Sequence, residues 1–468
     1  MAATAEMRPV LSEKASTHAS EFDLLVACCT DSTSRGRADR IREILSCPLD
    51  WQRLLDLVDH HRVLPQVYAA LAALSHLIPG QQVDPLRLRY QNNARKTLWF
   101  TAELVRILGH LESAGIKALP YKGPILAETL YSEVTQRQYG DLDILILPEE
   151  VTKAKAALLD LGYKTGIELG PSIETAYIDT GYEYSFSSAR GSHLLELQWR
   201  IVPRFYSIDF DVADFFARAD EIKLGGVASQ QTPENWGEVS SNSCEAQAER
   251  ISWRKPCVEN PREAAPECSP RRKPWVGSGT QTSPSGAKDP LQQSLPRPMR
   301  TLRAEDLLLV LCVHAAKHVW VQLSWLCDIA QLAKSAQLDW NAIQDEARRL
   351  GIERIVSLNL LLAHKLLGSA LPPTIQKRWR DDPPTTVLVG EILCVIKRSV
   401  HYETGSLPYF RLMMRLRERW QDQVRFLWRL AFTPSISEWS AIQLPKPLQP
   451  LYRLVRLSRL AKRLASAA

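Results

Sequence analysis

The stretch RQYGDLDILILPEE, residues 137–150, lies near the end of the first third of this 468-residue chain. Two aspartates, Asp141 and Asp143, flank one leucine, and the apolar run ILIL follows at residues 144–147. Successive side chains of a β-strand point to opposite faces. The pattern therefore predicts a core strand that begins with two carboxylates on the same face.

Two carboxylates this close repel each other, and apolar neighbours raise the cost of keeping both charged. A divalent cation between Asp141 and Asp143 would remove the repulsion. Mg²⁺ prefers a small number of carboxylates together with substrate phosphates. The D-x-D pattern thus indicates metal-assisted phosphoryl or nucleotidyl transfer. The alternative is an ordinary strand start, where such triplets are common.

A second motif, YKGPILAETLY at residues 121–131, precedes the aspartates. It predicts a strand, a glycine turn at Gly123, and a helix with Pro124 at its first position. Free N–H groups and the positive end of the helix dipole would attract an anion there, and the charge of Lys122 can reach a phosphate. The alternative is that Gly123 only makes the turn and Lys122 is solvated. The P-loop pattern G-x-x-x-x-G-K-[ST] is absent.

The segment 182–202 alternates apolar and polar residues, turns at ARGS, and alternates again, which predicts a β-hairpin. Alternation directs one set of side chains to the core: Leu195, Leu197 and Trp199. The opposite face carries Glu196, Gln198 and Arg200. Glu196 on a neighbouring strand would complete a cluster of three carboxylates. The alternative is an exposed hairpin glutamate.

Five regions follow from the changes in pattern along the chain. Residues 1–20 form a disordered tail, 21–114 a helical region, 115–227 an α/β unit, 228–300 a disordered insertion, and 301–468 a second helical region. The predicted fold class is α+β, with a mixed sheet and helices between two all-α regions.

Individual helices are predicted from apolar residues that recur every three or four positions. A helical run over residues 51–74 is interrupted at Pro65, and a further helix spans about 93–113 and stops at Gly115. Another helix ends at Gly162. Residues 303–336 form one long helix or two.

The predicted insertion differs sharply in composition from its flanks. Residues 228–298 contain ten of the 29 prolines, only six Val, Ile and Leu residues together, and no Phe. Such a segment buries too little apolar surface to offset the entropy lost on ordering. A translated frameshift is a second hypothesis, which resequencing the coding DNA would test.

The sequence HAAKH places His314 and His318 four residues apart, on one face of a predicted helix. This spacing can bind a metal, but the H-E-x-x-H pattern is absent. We expect the two histidines to pack at the junction with the α/β unit or to contact substrate. Trp320, Trp325 and Asp328 are interpreted as packing and capping residues of the same segment.

Composition and charge exclude several classes of protein. A net charge of +6 is too weak to indicate nucleic-acid binding. The nine cysteines form no C-x-x-C pair, which argues against a zinc ribbon or a disulfide framework and favours a reducing compartment. The N-terminus lacks the apolar core of a signal peptide, and no apolar run is long enough to span a bilayer. We expect a cytoplasmic protein.

The C-terminal stretch LYRLVRLSRLAKRLASAA carries five basic residues and no acid. A basic amphipathic helix can lie on a membrane or bind an acidic partner. We favour a surface helix with one apolar face on the core and snorkelling arginines, because this apolar face lacks Trp and Phe anchors.

Several blocks of the chain, taken in order, resemble a bacterial family of uncharacterised nucleotidyltransferases related to the DNA polymerase β superfamily. They are LPYKGPILAETLY, RQYGDLDILILPEEVTKAKAALLDLGY, LLELQWRI, LRAEDLLLVLCVHAAKHVWVQLSWLCDIAQL and TPSISEWSAIQLPKPLQPLYRLVRLSRL. The resemblance covers most of the chain outside residues 1–20 and 228–298.

The resemblance implies roles for particular residues. Gly123 would be the turn glycine, Asp141 and Asp143 the metal ligands, and Glu196 the third carboxylate. Candidate phosphate contacts are Lys122, Arg137 and Arg200, and Arg137 can alternatively pair with one of the aspartates. The chain departs from the superfamily in having Lys-Gly rather than Gly-Ser at the turn, and in a longer interval to the first aspartate.

The resemblance also implies an activity. Two Mg²⁺ ions would assist transfer of a nucleotidyl group from an NTP, such as ATP, to the hydroxyl of a small molecule, a sugar or a protein. We expect no stable complex with nucleic acid, because the chain shows no long basic groove interleaved with aromatic residues. The alternative is a catalytically inactive nucleotide-binding or scaffold protein that keeps the fold.

Overall fold

The computed structural model describes most of the chain outside the N-terminal tail and the predicted insertion. The described residues are 19–31, 33–34, 36–188, 194–224, 298–335, 337–373, 375–376, 382–399, 406–434, 438–439, 444, 448 and 451–466. All of them belong to one compact unit.

The N-terminal region is helical, as predicted. Its helices are α1 (Ala19–Cys29), α2 (Arg37–Leu45), α3 (Trp51–His61), α4 (Leu64–Ala72) and α5 (Gly80–Ser113). The predicted interruption near Pro65 is confirmed, since α3 ends before Arg62, which has a positive φ of 52°, and Pro65 lies in the first turn of α4.

The predicted start of α5 near residue 93 is wrong. The helix begins at Gly80 and includes Pro85. Pro85 is the sixth residue of the helix, past the first turn, so it removes one intrahelical hydrogen bond there. The predicted end is correct, because Gly115 follows with a φ of +68°.

A five-stranded mixed sheet forms the centre of the α/β unit. Its elements in chain order are β1 (Ala118–Pro120), α6 (Gly123–Tyr131), β2 (Asp141–Ile146), α7 (Val151–Asp160), β3 (Lys164–Thr165), α8 (Pro171–Thr180), β4 (Glu183–Ser187) and β5 (Leu194–Gln198). The strand order is β1-β2-β5-β4-β3, and only the β2–β5 pair is parallel. The predicted hairpin is confirmed as the antiparallel pair β4–β5, while its ARGS turn lies outside the described residues.

Alternation along the strands divides the sheet into two faces. One face packs on α5, α7 and α8 through a buried apolar cluster that includes Leu142, Ile144, Leu195, Leu197 and Trp199. The other face carries the acidic residues of β2, β4 and β5 and turns toward the C-terminal helices. The apolar run of the opening stretch therefore anchors β2 in the core, as predicted.

The flanks of the insertion meet in a second, two-stranded sheet. After α9 (Val212–Ala217), β6 (Asp220–Ile222) pairs antiparallel with β7 (Met299–Thr301), and Asp220 is opposite Thr301. The predicted boundary at residue 300 therefore falls within a strand. The rest of the predicted insertion lies outside the described residues.

The C-terminal region is helical, as predicted. Its helices are α10 (Ala304–Lys317), α11 (Leu323–Ser335), α12 (Trp340–Leu350), α13 (Glu353–Leu367), α14 (Pro383–Arg398), α15 (Leu407–Arg415), α16 (Trp420–Phe432) and α17 (Tyr452–Ser466). Of the two possibilities for residues 303–336, the structure shows two helices. They separate at Val319 and Trp320, which both have positive φ.

No helix in the described part of the chain is both long and apolar enough to cross a membrane.

Candidate active site

Four acidic side chains belong to the face of the sheet that turns toward α10. Asp141 and Asp143 alternate along β2. Glu196 on β5 is the register partner of Asp143, since these two strands run parallel. Glu183 on β4 is opposite Gln198. The two predicted aspartates and the predicted third acid therefore occupy one surface, together with a fourth acid that the sequence reasoning missed.

Lys122 reaches the second aspartate. Its Nζ lies 2.7 Å from Asp143 Oδ1; the Asp143 side chain is buried and that of Lys122 is only 11% exposed. Lys122 occupies the N-cap position of α6, and no side-chain hydrogen bond caps that helix end in the described structure. The alternative that Lys122 is solvated is therefore wrong, because its charge neutralises a buried carboxylate.

Gln198 connects the acidic side chains to one another. Its Nε2 lies 3.2 Å from Asp143 Oδ1, 3.0 Å from Glu196 Oε2 and 3.4 Å from Glu183 Oε2, and its two hydrogens are shared among these three acceptors. Tyr121 donates its hydroxyl to Gln198 Oε1, which fixes the orientation of the amide. This network holds the three carboxylates close together on the sheet.

The electrostatics of this face follow from burial and from an excess of acids. Burial raises the pKa of Glu196 well above its usual range, and the carboxylates of Asp143 and Glu183 add to the effect. Burial also raises the pKa of Asp143, against the opposing charge of Lys122. Burial by itself would lower the pKa of Lys122, but the surrounding carboxylates raise it. The ammonium is thus held charged, while burial makes the carboxyls of Asp143 and Glu196 harder to ionise.

The alternative of an exposed hairpin glutamate at position 196 is also wrong. Glu196 is partly buried and accepts a hydrogen bond from Gln198. Its neighbours along the strand, Leu195 and Leu197, are fully buried on the opposite face, as predicted.

Gly123 forms the turn before α6, and its backbone lies close to the start of β2. Its φ is +55°, and a Cβ at this position would lie 3.3 Å from the backbone oxygen of Asp141 and 3.6 Å from Leu142 Cδ2. The start of α6 therefore lies directly against the start of β2. This contact explains why Lys122 and Asp143 meet, although 20 residues separate them in the chain.

Lys317, the last residue of α10, approaches the same face from the C-terminal region. Its Nζ lies 3.4 Å from the hydroxyl of Tyr182 and 4.7 Å from the centre of that ring. Burial lowers the pKa of Lys317, although the carboxylates of Glu183 and Glu196 oppose the shift. A second lysine is thus placed beside the acidic cluster.

The histidines of HAAKH flank Lys317. The rings of His314 and His318 are 4.7 Å apart, and Trp325 packs against both, at 5.2 Å and 5.5 Å. Burial and the nearby charges of Lys122 and Lys317 lower the pKa of both histidines well below the usual range. These ring contacts lie within the C-terminal region, so packing at the junction with the α/β unit and contact with substrate both stay predictions. The lowered pKa keeps both rings neutral near pH 7.

Arg137 has a partner that the sequence did not indicate. Its Nε lies 3.0 Å from Asp328 Oδ2 in a buried ion pair, and Tyr131 donates to Asp328 Oδ1 at 3.0 Å. The structure thus pairs Arg137 with neither Asp141 nor Asp143. Asp328 is not a helix cap, because it lies inside α11 and joins that helix to the α/β unit.

Arg200 is positioned by backbone carbonyls. Its Nη1 donates to the oxygens of Ile178 at 2.9 Å and Gly181 at 2.7 Å, at the end of α8. Burial lowers the pKa of Arg200, and the nearby Arg204 adds to the effect. These bonds direct the guanidinium toward α8, so its predicted contact with phosphate stays a prediction.

The carboxylate oxygens of this face are candidate ligands for a magnesium ion. Among the described side chains, no three His, Cys, Asp or Glu residues are arranged to hold a metal. Carboxylate oxygens are nevertheless the ligands that Mg²⁺ prefers, and one or two carboxylates plus substrate phosphates commonly suffice. Asp141 and Asp143 fit this description as a pair. Glu196 as a third ligand stays a prediction.

The comparison with protein families is decisive for the class of protein. A family model described as an uncharacterised nucleotidyltransferase matches residues 48–235 and 280–368, which is more than half of the chain. The chain belongs to this nucleotidyltransferase family. No curated protein and no solved structure matches it. The family membership agrees with the resemblance inferred from the sequence blocks.

Two residues of this acidic face could not be predicted from the sequence. Glu183 begins a strand of alternating pattern, and its position opposite Gln198 could be inferred only from the register of the hairpin. Lys317 lies between the two histidines that drew attention to HAAKH. Its buried position next to Tyr182 depends on contacts between residues 135 positions apart, for which the local sequence carries no signal.

Proposed function

We propose that the protein transfers a nucleotidyl group from an NTP to an acceptor hydroxyl, with Mg²⁺, on the sheet face that bears Asp141, Asp143 and Glu196. The observation that carries the proposal is the buried group of Asp143, Glu196 and Lys122, in a chain that belongs to a nucleotidyltransferase family. Burying more negative than positive charge costs free energy. A bound metal ion would offset that excess of negative charge.

Asp141 and Asp143 are the residues that would hold magnesium. When bound together with an NTP, the metal would lower the pKa of the acceptor hydroxyl and neutralise charge on the phosphates. Both aspartates extend from one strand whose apolar residues are buried, so their backbone is held rigidly. A rigid strand limits the reorganisation that the site would need during the reaction.

Two lysines provide positive charge for the phosphates. Lys122 lies at the start of α6, where backbone N–H groups and the helix dipole also favour an anion. Lys317 lies on the other side, beside Glu183 and Glu196. Together the two side chains would bind the triphosphate and stabilise the departing pyrophosphate.

Glu196 is the residue best suited to accept a proton. Burial and the neighbouring carboxylates raise its pKa and favour its protonated form, so Glu196 would accept a proton once a cation bound beside it keeps the carboxylate ionised. In the proposed reaction the acceptor oxygen bonds to the α-phosphorus, the bond to the pyrophosphate oxygen breaks, and the hydroxyl proton passes to Glu196. The acceptor is a small molecule, a sugar or a protein side chain.

The proposal is tested by incubating the protein with each α-labelled NTP, Mg²⁺ and a cell extract. We expect label to appear in an acceptor, and Asp143→Asn to lower the rate at least about a hundredfold, because a metal ligand supplies several kcal/mol of charge stabilisation. Asp160→Asn, at the exposed end of α7, is the matched control and should transfer label normally. Equal labelling by Asp143→Asn would contradict the assignment of the site.

A second candidate function is nucleotide binding without catalysis. It is favoured by the ion pair between Lys122 and Asp143, which satisfies a predicted metal ligand with an internal cation. This candidate predicts NTP binding that is independent of Mg²⁺, together with no label transfer in any extract.

A further inference from the structure

Helix α16 carries a stripe of exposed apolar side chains. The stripe consists of Trp420, Val424, Leu427 and Trp428, which are 68%, 55%, 49% and 66% exposed. They are spaced three or four residues apart and therefore share one face of the helix. The opposite face is buried and consists of Asp422, Phe426 and Leu430.

This stripe differs from ordinary surface apolar residues. Single exposed leucines are common on proteins, whereas a contiguous apolar patch with two tryptophans marks an interaction site. Trp428 also lies 4.4 Å from Phe432, measured between ring centres, so the aromatic surface continues toward the end of the helix. We call the four stripe residues together with Phe432 the tryptophan stripe.

The chain around the tryptophan stripe is strongly basic. Residues 419–463 contain nine Lys and Arg but only two Asp and Glu, a net charge of +7 against +6 for the whole chain. The rest of the protein is therefore nearly neutral. The positive charge of the chain is concentrated in one segment that also contains the apolar stripe.

The two acids of this segment are already paired with arginines. Asp422 Oδ2 lies 2.5 Å from Arg419 Nε. Glu438 lies 3.3 Å from Arg456 and 3.5 Å from Arg459. Arg429 is paired in turn with Asp209, at 2.7 Å. The positive charge at this surface therefore comes from other basic residues, among them the exposed Arg425 and Arg453.

Helix α17 lies next to α16. The Nε of Arg456 donates to the backbone oxygen of Leu430 at 3.1 Å, and that guanidinium is buried. Arg453 and Leu454 of α17 are exposed. The basic C-terminal helix is thus fastened to the helix that bears the tryptophan stripe.

We infer that α16 and α17 together form a docking surface for an anionic lipid membrane. Tryptophan prefers the boundary between lipid headgroups and acyl chains, and clustered basic residues are attracted to anionic lipids. An amphipathic surface with both features binds in the plane of the interface. The C-terminal helix alone contains no Trp or Phe, and α16 provides both.

Charge and composition favour a membrane over other occupants. A second copy of the chain docked symmetrically on this face would bring two positive surfaces together, which costs free energy. Single-stranded nucleic acid is bound by aromatic residues set along a basic groove, whereas Val424 and Leu427 fill the space between the tryptophans with aliphatic surface.

The test is sedimentation of the full-length protein with vesicles of phosphatidylcholine, with and without phosphatidylglycerol. We expect binding to the anionic vesicles that weakens as salt is added. The variant Trp420→Ser/Trp428→Ser should lower the partition coefficient roughly tenfold or more, because it removes two large apolar side chains from the interface.

The matched control is Leu88→Ser/Leu98→Ser, which removes two exposed apolar side chains from α5. It should bind vesicles as the unaltered protein does. Failure of the unaltered protein to bind anionic vesicles would overturn the inference, as would an equal loss in the control. A dimer or an RNA complex that only the tryptophan variant disrupts, without vesicle binding, would assign the surface to that partner instead.

Discussion

At the scale of single residues, the site depends on how burial changes the behaviour of a few ionisable groups. Asp143 and Lys122 neutralise each other inside the protein. In the described part of the chain, Glu196 and Glu183 form no ion pair of this kind and instead accept hydrogen bonds from Gln198. Their protons are therefore held more tightly than in water. This makes the carboxyl face responsive both to pH and to any added cation.

Glu196 should make stability depend on pH. Because its pKa is raised in the folded protein, its contribution is fully present below the unfolded pKa of about 4.3 and is lost as the pH rises through the folded pKa. The free energy of unfolding of the unaltered protein should therefore fall relative to that of Glu196→Gln in this window, by up to about 1.4 kcal/mol per pH unit.

The measurement is chemical denaturation at a series of pH values. Glu149→Gln, an exposed glutamate before α7, is the control and should follow the unaltered protein at every pH. Parallel curves for the unaltered protein and Glu196→Gln would show that Glu196 is not buried among like charges.

The ion pair of Arg137 and Asp328 should be structural. Either single change, Arg137→Met or Asp328→Leu, leaves one buried charge unpaired and should cost about 3–5 kcal/mol of stability. The double variant should cost much less than the sum, and a double-mutant cycle measured by denaturation checks this. A stable Arg137→Met variant with weakened NTP binding would instead support the predicted phosphate contact.

At the scale of elements, periodicity located the strands and most helices but not all their ends. The alternation of residues 141–146 and the hairpin pattern were sufficient to predict β2, β4 and β5, because burial of one face fixes the register of a strand. The start of α5 was missed, since a polar stretch with Pro85 carries no helical apolar pattern. The break at Val319 was left open, because two positive φ values in non-glycine residues have no local sequence signature.

The turn between β1 and α6 should be intolerant of a side chain. Gly123→Ala would place a Cβ 3.3 Å from the Asp141 oxygen at a φ of +55°, and we expect a loss of about 1–2 kcal/mol. Gly109→Ala in α5, where no atom lies within 4 Å, should be neutral or stabilise the protein by about 0.5–1 kcal/mol. The measurement is the denaturation midpoint of each variant. Equal midpoints for Gly123→Ala and Gly109→Ala would argue against the close contact between Gly123 and Asp141.

At the scale of the whole molecule, the site unites parts of the chain that are distant in sequence. Asp143, Glu196 and Lys122 come from the sheet and from α6, whereas Lys317 comes from the C-terminal region beyond the insertion. The aspartates and Lys122 could be predicted because short motifs carry them. The contributions of Lys317 and Asp328 could not, since packing between distant helices and the sheet brings them there.

The two-stranded sheet explains how this assembly accommodates the insertion. Ile222 and Met299 are partners in the β6–β7 ladder, so the chain leaves and re-enters the compact unit at one place. The C-terminal helices can therefore pack on the α/β unit whatever the length of the segment between the two strands.

The most direct test of the central claim measures metal binding together with a nucleotide. Mn²⁺ takes the same oxygen ligands as Mg²⁺, and its free concentration can be followed by electron paramagnetic resonance in the presence of a non-hydrolysable NTP. The account predicts that the unaltered protein binds Mn²⁺ with the nucleotide, that Asp141→Asn and Asp143→Asn weaken this binding at least about tenfold, and that Asp160→Asn leaves it unchanged. Equal Mn²⁺ binding by all four proteins, or none by the unaltered protein, would contradict it.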